Sequence, residues 1–223
     1  MTDLLYALRA PTEELRYSLR SVCANLPHEK IWTVGPSRPK WLTRQVGHIP
    51  TRESPGRKWV NLPAAIEAAC QEHDLAEDLL YMNDDFFCLE PVTDVLPMHR
   101  GPLMAGKTGS TYNAGFADTE AVLRRLGVEG DLFNFEVHLP LPFDRDKMLR
   151  VLKLAKPWRG CLHYRSLYAN YHRLDAERIS DVKVYGNNAA PLGAWASSST
   201  ASWGSRFGKD IRRKFGEPSI YER

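Results

Sequence analysis

The sequence predicts an α/β fold: one Rossmann-like domain over residues 1–223, with a mixed, mostly parallel sheet flanked by helices. Three observations predict it. Short apolar runs alternate with amphipathic stretches, the order of a parallel sheet with crossover helices. Polar residues cluster just beyond the apolar runs, where α/β sheets carry their chemistry. The composition is that of an ordinary globular chain, 43% hydrophobic and 26% charged, which excludes a disordered or fibrous protein.

The elements follow in order. Leu4 to Leu8 reads as a buried strand ended by Arg9-Ala10-Pro11. Thr12 is placed to cap a helix over 13–25, with Glu13 and Glu14 in the first turn and Leu15, Leu19, Val22 and Cys23 on one face. Ile31 to Val34 is a second strand, stopped by Gly35-Pro36, and Val46 to Ile49 a third. After a polar loop at 51–58, Pro63 to Ala76 reads as a helix with the proline in its first turn. Leu79 to Met82 is a strong strand followed by Asn83-Asp84-Asp85. Residues 97–116 read as a long loop, with Gly101–Gly115 expected to move over a ligand. A helix from Thr119 to Leu126 ends at Gly127. Leu132 to Leu139 reads as a strand, Asp144 to Lys156 as a basic amphipathic helix, and Asp181 to Tyr185 as a strand. Trp195 to Thr200 reads as a loop and Ser205 to Phe215 as the last helix.

Composition also bounds function. Thirty basic residues against 27 acidic give a net charge of +3, too weak a bias for a nucleic-acid-binding face. Four cysteines without a C-x-x-C pair exclude zinc-ribbon and thioredoxin-type sites and read as free thiols in a reducing compartment. There is no signal peptide and no run near the ~18 apolar residues of a membrane span, so a soluble cytoplasmic location is expected. No G-x-S-x-G, G-x-G-x-x-G or G-x-x-x-x-G-K-[ST] element is present.

Asn83-Asp84-Asp85 is the sharpest candidate site. Hard carboxylate oxygens at a strand end suit Mg²⁺ or Mn²⁺; an Asx turn with solvated acids is the equal alternative. His138, at the end of the 132–139 run, is a candidate general base, with His99 and His163 behind it. Arg16, Arg20 and Arg165 are candidate phosphate ligands, because guanidinium matches phosphate oxygens bidentately.

Several segments together resemble the Stealth family of sugar-phosphate transferases. Glu14-Leu15-Arg16-Tyr17-Ser18-Leu19-Arg20-Ser21-Val22 is similar to the family's E-L-R-Y-S-L-R-S-V. Leu80-Tyr81-Met82-Asn83-Asp84-Asp85-Phe86-Phe87 is similar to its Y-x-N-D-D-x-F-F. Lys30 to Val34, the Pro39-Lys40-Trp41-Leu42 turn, Ala65-Ile66-Glu67, His138-Leu139-Pro140, Tyr164-Arg165-Ser166 and Phe215 to Glu222 follow in the family's order. The first region departs from the pattern: its Asp-Gly is missing after Asp3 to Arg9.

The resemblance implies a nucleotide-sugar-transferase type of Rossmann-like domain. It implies transfer of a hexose-1-phosphate, such as GlcNAc-1-phosphate, from a UDP-sugar to a hydroxyl of a glycan or glycoconjugate acceptor, releasing UMP. It assigns catalysis to His138, Asp85 and Arg165, and a divalent cation (Mg²⁺ or Mn²⁺) to Asp84 and Asp85. Arg16, Arg20, Glu67, Asn83 and Lys107 become substrate-binding candidates, with Thr108 and Ser110 beside Lys107. Two other readings remain: a metal-dependent glycosyltransferase releasing UDP, and an inactive glycan- or protein-binding module.

Overall fold

The computed structural model describes residues 2–10, 12–53, 58–104, 110–156, 161–189 and 193–223. Its main sheet has five strands: β1 (Asp3–Ala7), β2 (Ile31–Gly35), β3 (Val46–Pro50), β4 (Asp78–Met82) and β7 (Leu141–Asp144), in the order β3-β2-β1-β4-β7. Between β4 and β7 the chain adds two short strands, β5 (Phe86–Cys88) and β6 (Met98–His99). The first four strands of the main sheet are parallel and β7 runs antiparallel at the edge, so the sheet is mixed and mostly parallel.

Burial on both faces explains the continuous apolar runs. In β1, Leu5 packs on one face while Leu4 and Tyr6 pack on the other; in β4, Leu79 and Tyr81 part from Leu80 and Met82 in the same way. One face is covered by α1 (Glu13–Asn25), through Leu15, Leu19 and Val22. The other is covered by α2 (Lys58–Cys70), α3 (Thr111–Arg125), α4 (Arg145–Ala155) and α5 (Tyr164–Tyr171), whose apolar sides share one core with Leu5, Leu79 and Tyr81.

The rest of the chain builds smaller sheets at the end of the main one. β6 pairs with β8 (Glu177–Arg178). β9 (Lys183–Val184) and β5 flank β10 (Trp195–Ser198), and α6 (Thr200–Trp203) and α7 (Arg206–Lys214) follow. Small polar residues let α1 dock on β5: the Ser18 hydroxyl donates to the Phe86 carbonyl at 2.5 Å, and Ser21 Oγ accepts from the Cys88 amide at 3.0 Å.

Several elements differ from the sequence reading. The 132–139 segment is not a strand. It alternates, burying Phe135, Val137 and Leu139, but side chains take its amides: Asn170 Oδ1 accepts from Phe133, Ser166 Oγ from Phe135 and Asp181 Oδ1 from His138. α3 starts at Thr111, eight residues before Thr119, capped by Ser110, so the expected 97–116 loop is shorter. Gly115, which reads as a loop residue, lies inside that helix, where an added Cβ would sit 2.7 Å from Cys161 Sγ. Close packing, not a turn, selects it. α2 begins at Lys58, which places Pro63 inside the helix rather than in its first turn. Trp195 to Ser198 is a strand, not a loop; its Ser197 and Ser198 are buried between neighbours. The Asp181 to Tyr185 strand shrinks to Lys183–Val184.

Candidate functional site

The site lies at the carboxyl end of β4. The strand order places β1 between β2 and β4, so the chain reverses direction across the sheet at the β1–β4 junction, where α/β folds open a crevice. Beyond β4, the Phe86 amide donates to the Asn83 carbonyl at 3.2 Å. That turn carries Asn83, Asp84 and Asp85 out of the main sheet and into β5.

The two acids have different surroundings. Asp84 Oδ2 accepts from the Thr12 hydroxyl at 2.7 Å, so the residue that caps α1 also fixes this carboxylate. Burial, with the charges of Asp85 and Glu14 added, pushes Asp84 up to about 6 despite the Thr12 bond. Asp85 Oδ2 accepts from Lys183 Nζ at 3.0 Å and Ser197 Oγ at 2.9 Å. Glu14 Oε1 accepts from Ser198 Oγ at 2.5 Å, and burial raises its pKa too. Among the described residues no group of three or more His, Cys, Asp or Glu is gathered to hold a metal. The pair still fits a hard divalent cation. Mg²⁺ uses one or two carboxylates with substrate phosphates, and Asp84 sits in a place short of positive charge.

His138 lies against the same turn. Its ring meets Phe86, the residue after Asp85, edge-on at 6.5 Å between centroids. Its Nδ1 is 2.8 and 2.9 Å from the two oxygens of Asp181, and its amide donates to Asp181 Oδ1 at 3.1 Å. Burial alone would raise Asp181, but the bonds from His138 and the charge of Arg100, 3.4 Å away, hold it at about 2. An ionised carboxylate only accepts, so Nδ1 carries a hydrogen and Nε2 is the nitrogen that can take a substrate proton when the ring is neutral.

Arg165 reaches the turn from α5. Its guanidinium lies 5.9 Å from the Phe86 ring centroid and 5.8 Å from that of Tyr81, and it donates through Nη2 to the Leu139 carbonyl. Only 4% of the residue is exposed. Among the described residues its Nε has no hydrogen-bond partner and no carboxylate forms an ion pair with it. A buried cation with neither is a place for an anion.

The other sequence candidates are placed as follows. Asn83 lines a cavity of about 150 Å³ with His138, Arg165 and Glu136. Arg16 lies 4.5 Å over the Trp41 ring and 3.5 Å from Glu222, a third of its side chain exposed, in a second cavity with Thr12 and Tyr17. Arg20 is held elsewhere. Its Nε and Nη2 grip both oxygens of Glu222 at 2.7 and 2.8 Å, and Nη1 donates to the Phe215 and Gly216 carbonyls. Glu67 pairs with Lys156 at 2.6 Å, an ion pair joining α2 to the end of α4. His163 donates through Nε2 to the Tyr112 carbonyl and stacks on Phe116, and His99 accepts from the Gly101 amide. Lys107 and Thr108 lie outside the described residues.

Sequence reasoning missed Asp181, Lys183, Ser197 and Glu136. The Asp181-x-Lys183 spacing was the available signal: period two puts both on one side of an extended segment, one for His138 and one for Asp85.

No protein-family model and no curated protein matches the sequence. The fold has solved counterparts. The galactosyltransferase LgtC, in complex with donor and acceptor sugar analogs, superposes with a TM-score of 0.53 at 10% identity, over 98% of this chain and 97% of that one. An active-site mutant of LgtC gives a TM-score of 0.56 at 10% identity over the same shares. The glycosyltransferase GlyE of Streptococcus pneumoniae gives 0.44 at 13% identity, over 79% of this chain and 44% of that one. The two LgtC likenesses show a shared α/β fold; function has to come from the site.

Proposed function

We propose that the protein is a nucleotide-sugar-dependent transferase that moves a hexose-1-phosphate from a UDP-sugar to a glycan hydroxyl and releases UMP, as Stealth-type enzymes do. One observation carries the proposal. A histidine oriented by an ionised aspartate and a buried arginine that forms no ion pair among the described residues both flank Phe86, next to the acid pair.

The roles follow from these surroundings. His138 Nε2 takes the proton of the acceptor hydroxyl, while Asp181 holds the ring and stabilises the imidazolium that forms. The acceptor oxygen attacks the phosphorus that bears the hexose, and the bond from that phosphorus to the bridging oxygen breaks, leaving UMP. Arg165 and Lys183 compensate charge on the phosphoryl oxygens, a contribution that grows toward the transition state. Asp84 and Asp85 would hold the divalent cation, which when bound supplies further positive charge to the diphosphate. Arg16, partly exposed beside Trp41, is a candidate for the nucleotide end of the donor. Arg20 is given no substrate role, because its donors are occupied.

A second reading is favoured by the fold shared with LgtC: attack at the anomeric carbon, releasing UDP. Incubation with UDP-GlcNAc, Mg²⁺ and a panel of oligosaccharides, with UMP and UDP resolved by chromatography, separates the two. UMP from the wild type and almost none from His138→Ala supports the proposal. UDP from the wild type would replace it with the second reading, and neither nucleotide from any UDP-sugar would leave a binding module.

A further inference from the structure

We propose that the cavity beside His138, walled by Trp59, Tyr112, Glu136 and Arg165, is a pyranose subsite in which Glu136 receives hydrogen bonds from ring hydroxyls. This rests on the sugar-transfer reading above and adds to it a site and a recognition residue.

The cavity measures about 150 Å³ and opens from His138 toward α5 and the start of α3. Glu136 is held so that one oxygen is used and the other is spare. Oε1 accepts from the Ser166 amide and hydroxyl, both at 3.0 Å, while Oε2 has no hydrogen-bond donor among the described residues; His163 Nδ1 lies 3.9 Å from it. The Glu136 side chain lines the cavity and is 11% exposed. A carboxylate oxygen without a protein donor is free to accept from a ligand rich in hydroxyls. Arg165 lines the same wall, so the cavity sets a cation beside the Glu136 acceptor.

The remaining walls suit a sugar ring. Trp59 and Tyr112 lie 5.6 Å apart at a tilt of 49°, giving aromatic surface for the C–H face of a pyranose. Leu62, Val137 and Leu162 supply the apolar remainder. An acceptor hexose and the donor's own hexose share this chemistry, and both would bring a reacting atom near His138.

The test uses saturation-transfer NMR on the full chain with methyl glycosides of glucose, galactose, mannose and N-acetylglucosamine, and separately with UDP-GlcNAc, each with Mg²⁺. Glu136→Gln is the variant. Its amide oxygen can keep both Ser166 bonds while its amide nitrogen replaces the spare acceptor with a donor, and a thermal melt confirms the fold. At least one probe should transfer saturation to its ring protons in the wild type. Its affinity should fall about 10-fold or more in Glu136→Gln, as for a lost bond to a charged group. Loss confined to the methyl glycosides identifies an acceptor subsite; loss confined to UDP-GlcNAc identifies the donor's hexose. Either supports a pyranose at Glu136. No ring contact from any probe in the wild type, or equal binding by wild type and Glu136→Gln, overturns the proposal. The two readings fail separately: turnover indifferent to Glu136 sinks the subsite alone, and Glu136-dependent sugar binding without turnover sinks the transferase alone.

Discussion

Replacing Arg20 by methionine should destabilise the protein without weakening donor binding. The side chain is only 8% exposed and makes four hydrogen bonds, two to Glu222 and two to the Phe215 and Gly216 carbonyls. Methionine fills most of its space but leaves the Glu222 carboxylate, 2% exposed, with only Ser219 and the more distant Arg16. Removing one partner of a buried ion pair costs about 3–5 kcal/mol. At roughly 2–4 °C per kcal/mol for a chain of this length, the melting temperature should drop by about 6–20 °C. The pH dependence has a defined sign. Burial would raise Glu222, but its bonds to Arg20 hold it below the usual carboxylate range. The clamp therefore contributes fully above the unfolded pKa, and its contribution fades as pH falls through the lowered folded value. The gap between wild type and Arg20→Met should narrow as pH falls, first as the unpaired Glu222 of the variant takes up a proton and then as the wild-type clamp loses its charge. Adding Glu222→Gln should recover part of the loss, because the uncompensated charge is gone. The assay is thermal unfolding by circular dichroism, with UDP-sugar titration on the folded variant. Unchanged melting together with weakened UDP-sugar binding would refute this reasoning and return Arg20 to the donor site.

Asp84→Asn should raise stability at pH 7.5 while lowering activity. Its pKa of about 6 against an ordinary 3.8 means that ionisation costs the folded state about 3 kcal/mol at neutral pH, a penalty that grows from pH 4 to 6 and stays constant above; a variant less stable than wild type at pH 7.5 would contradict this. Asp181→Asn should slow turnover by about 10²-fold or more through loss of the His138 orientation. It should also cost on the order of 2 kcal/mol of stability at neutral pH, a loss that disappears as pH falls from 4 toward 2, the depressed value of Asp181; normal turnover would show that His138 needs no aspartate. A divalent cation should increase the thermal protection given by UDP, and chelation should remove that increase in the wild type. Asp85→Asn should show the chelated behaviour throughout, and equal protection with and without the cation in the wild type would count against the acid pair as its site.

Much of the main sheet was legible because β1 and β4 bury both faces and so read as unbroken apolar runs. The acid pair was legible for a related reason: two charges directly after such a run mark the strand's carboxyl end. What was hidden came from residues whose roles depend on distant partners. Arg20 looks like any helix arginine; its partner Glu222 is 202 positions away. His138 stood out, but its segment alternates like a strand while side chains from α5 and Asp181 take its amides. Lys183 opens a two-residue strand and Asp181 lies two positions before it, a stretch too short for a periodicity signal, and Ser197 and Ser198 sit in a serine run that reads as loop. The two longest segments behind the family resemblance are physically joined through α1: Ser18 of one bonds Phe86 of the other, and Ser21 bonds Cys88 just after it.

The central claim is that phosphorus, not the anomeric carbon, is attacked. Phosphorus NMR of the glycan product formed from UDP-GlcNAc tests it most directly. The account predicts a phosphodiester resonance that stays with the purified glycan, together with one equivalent of UMP, and neither in His138→Ala. A glycosylated product free of phosphorus, formed with release of UDP, would contradict it.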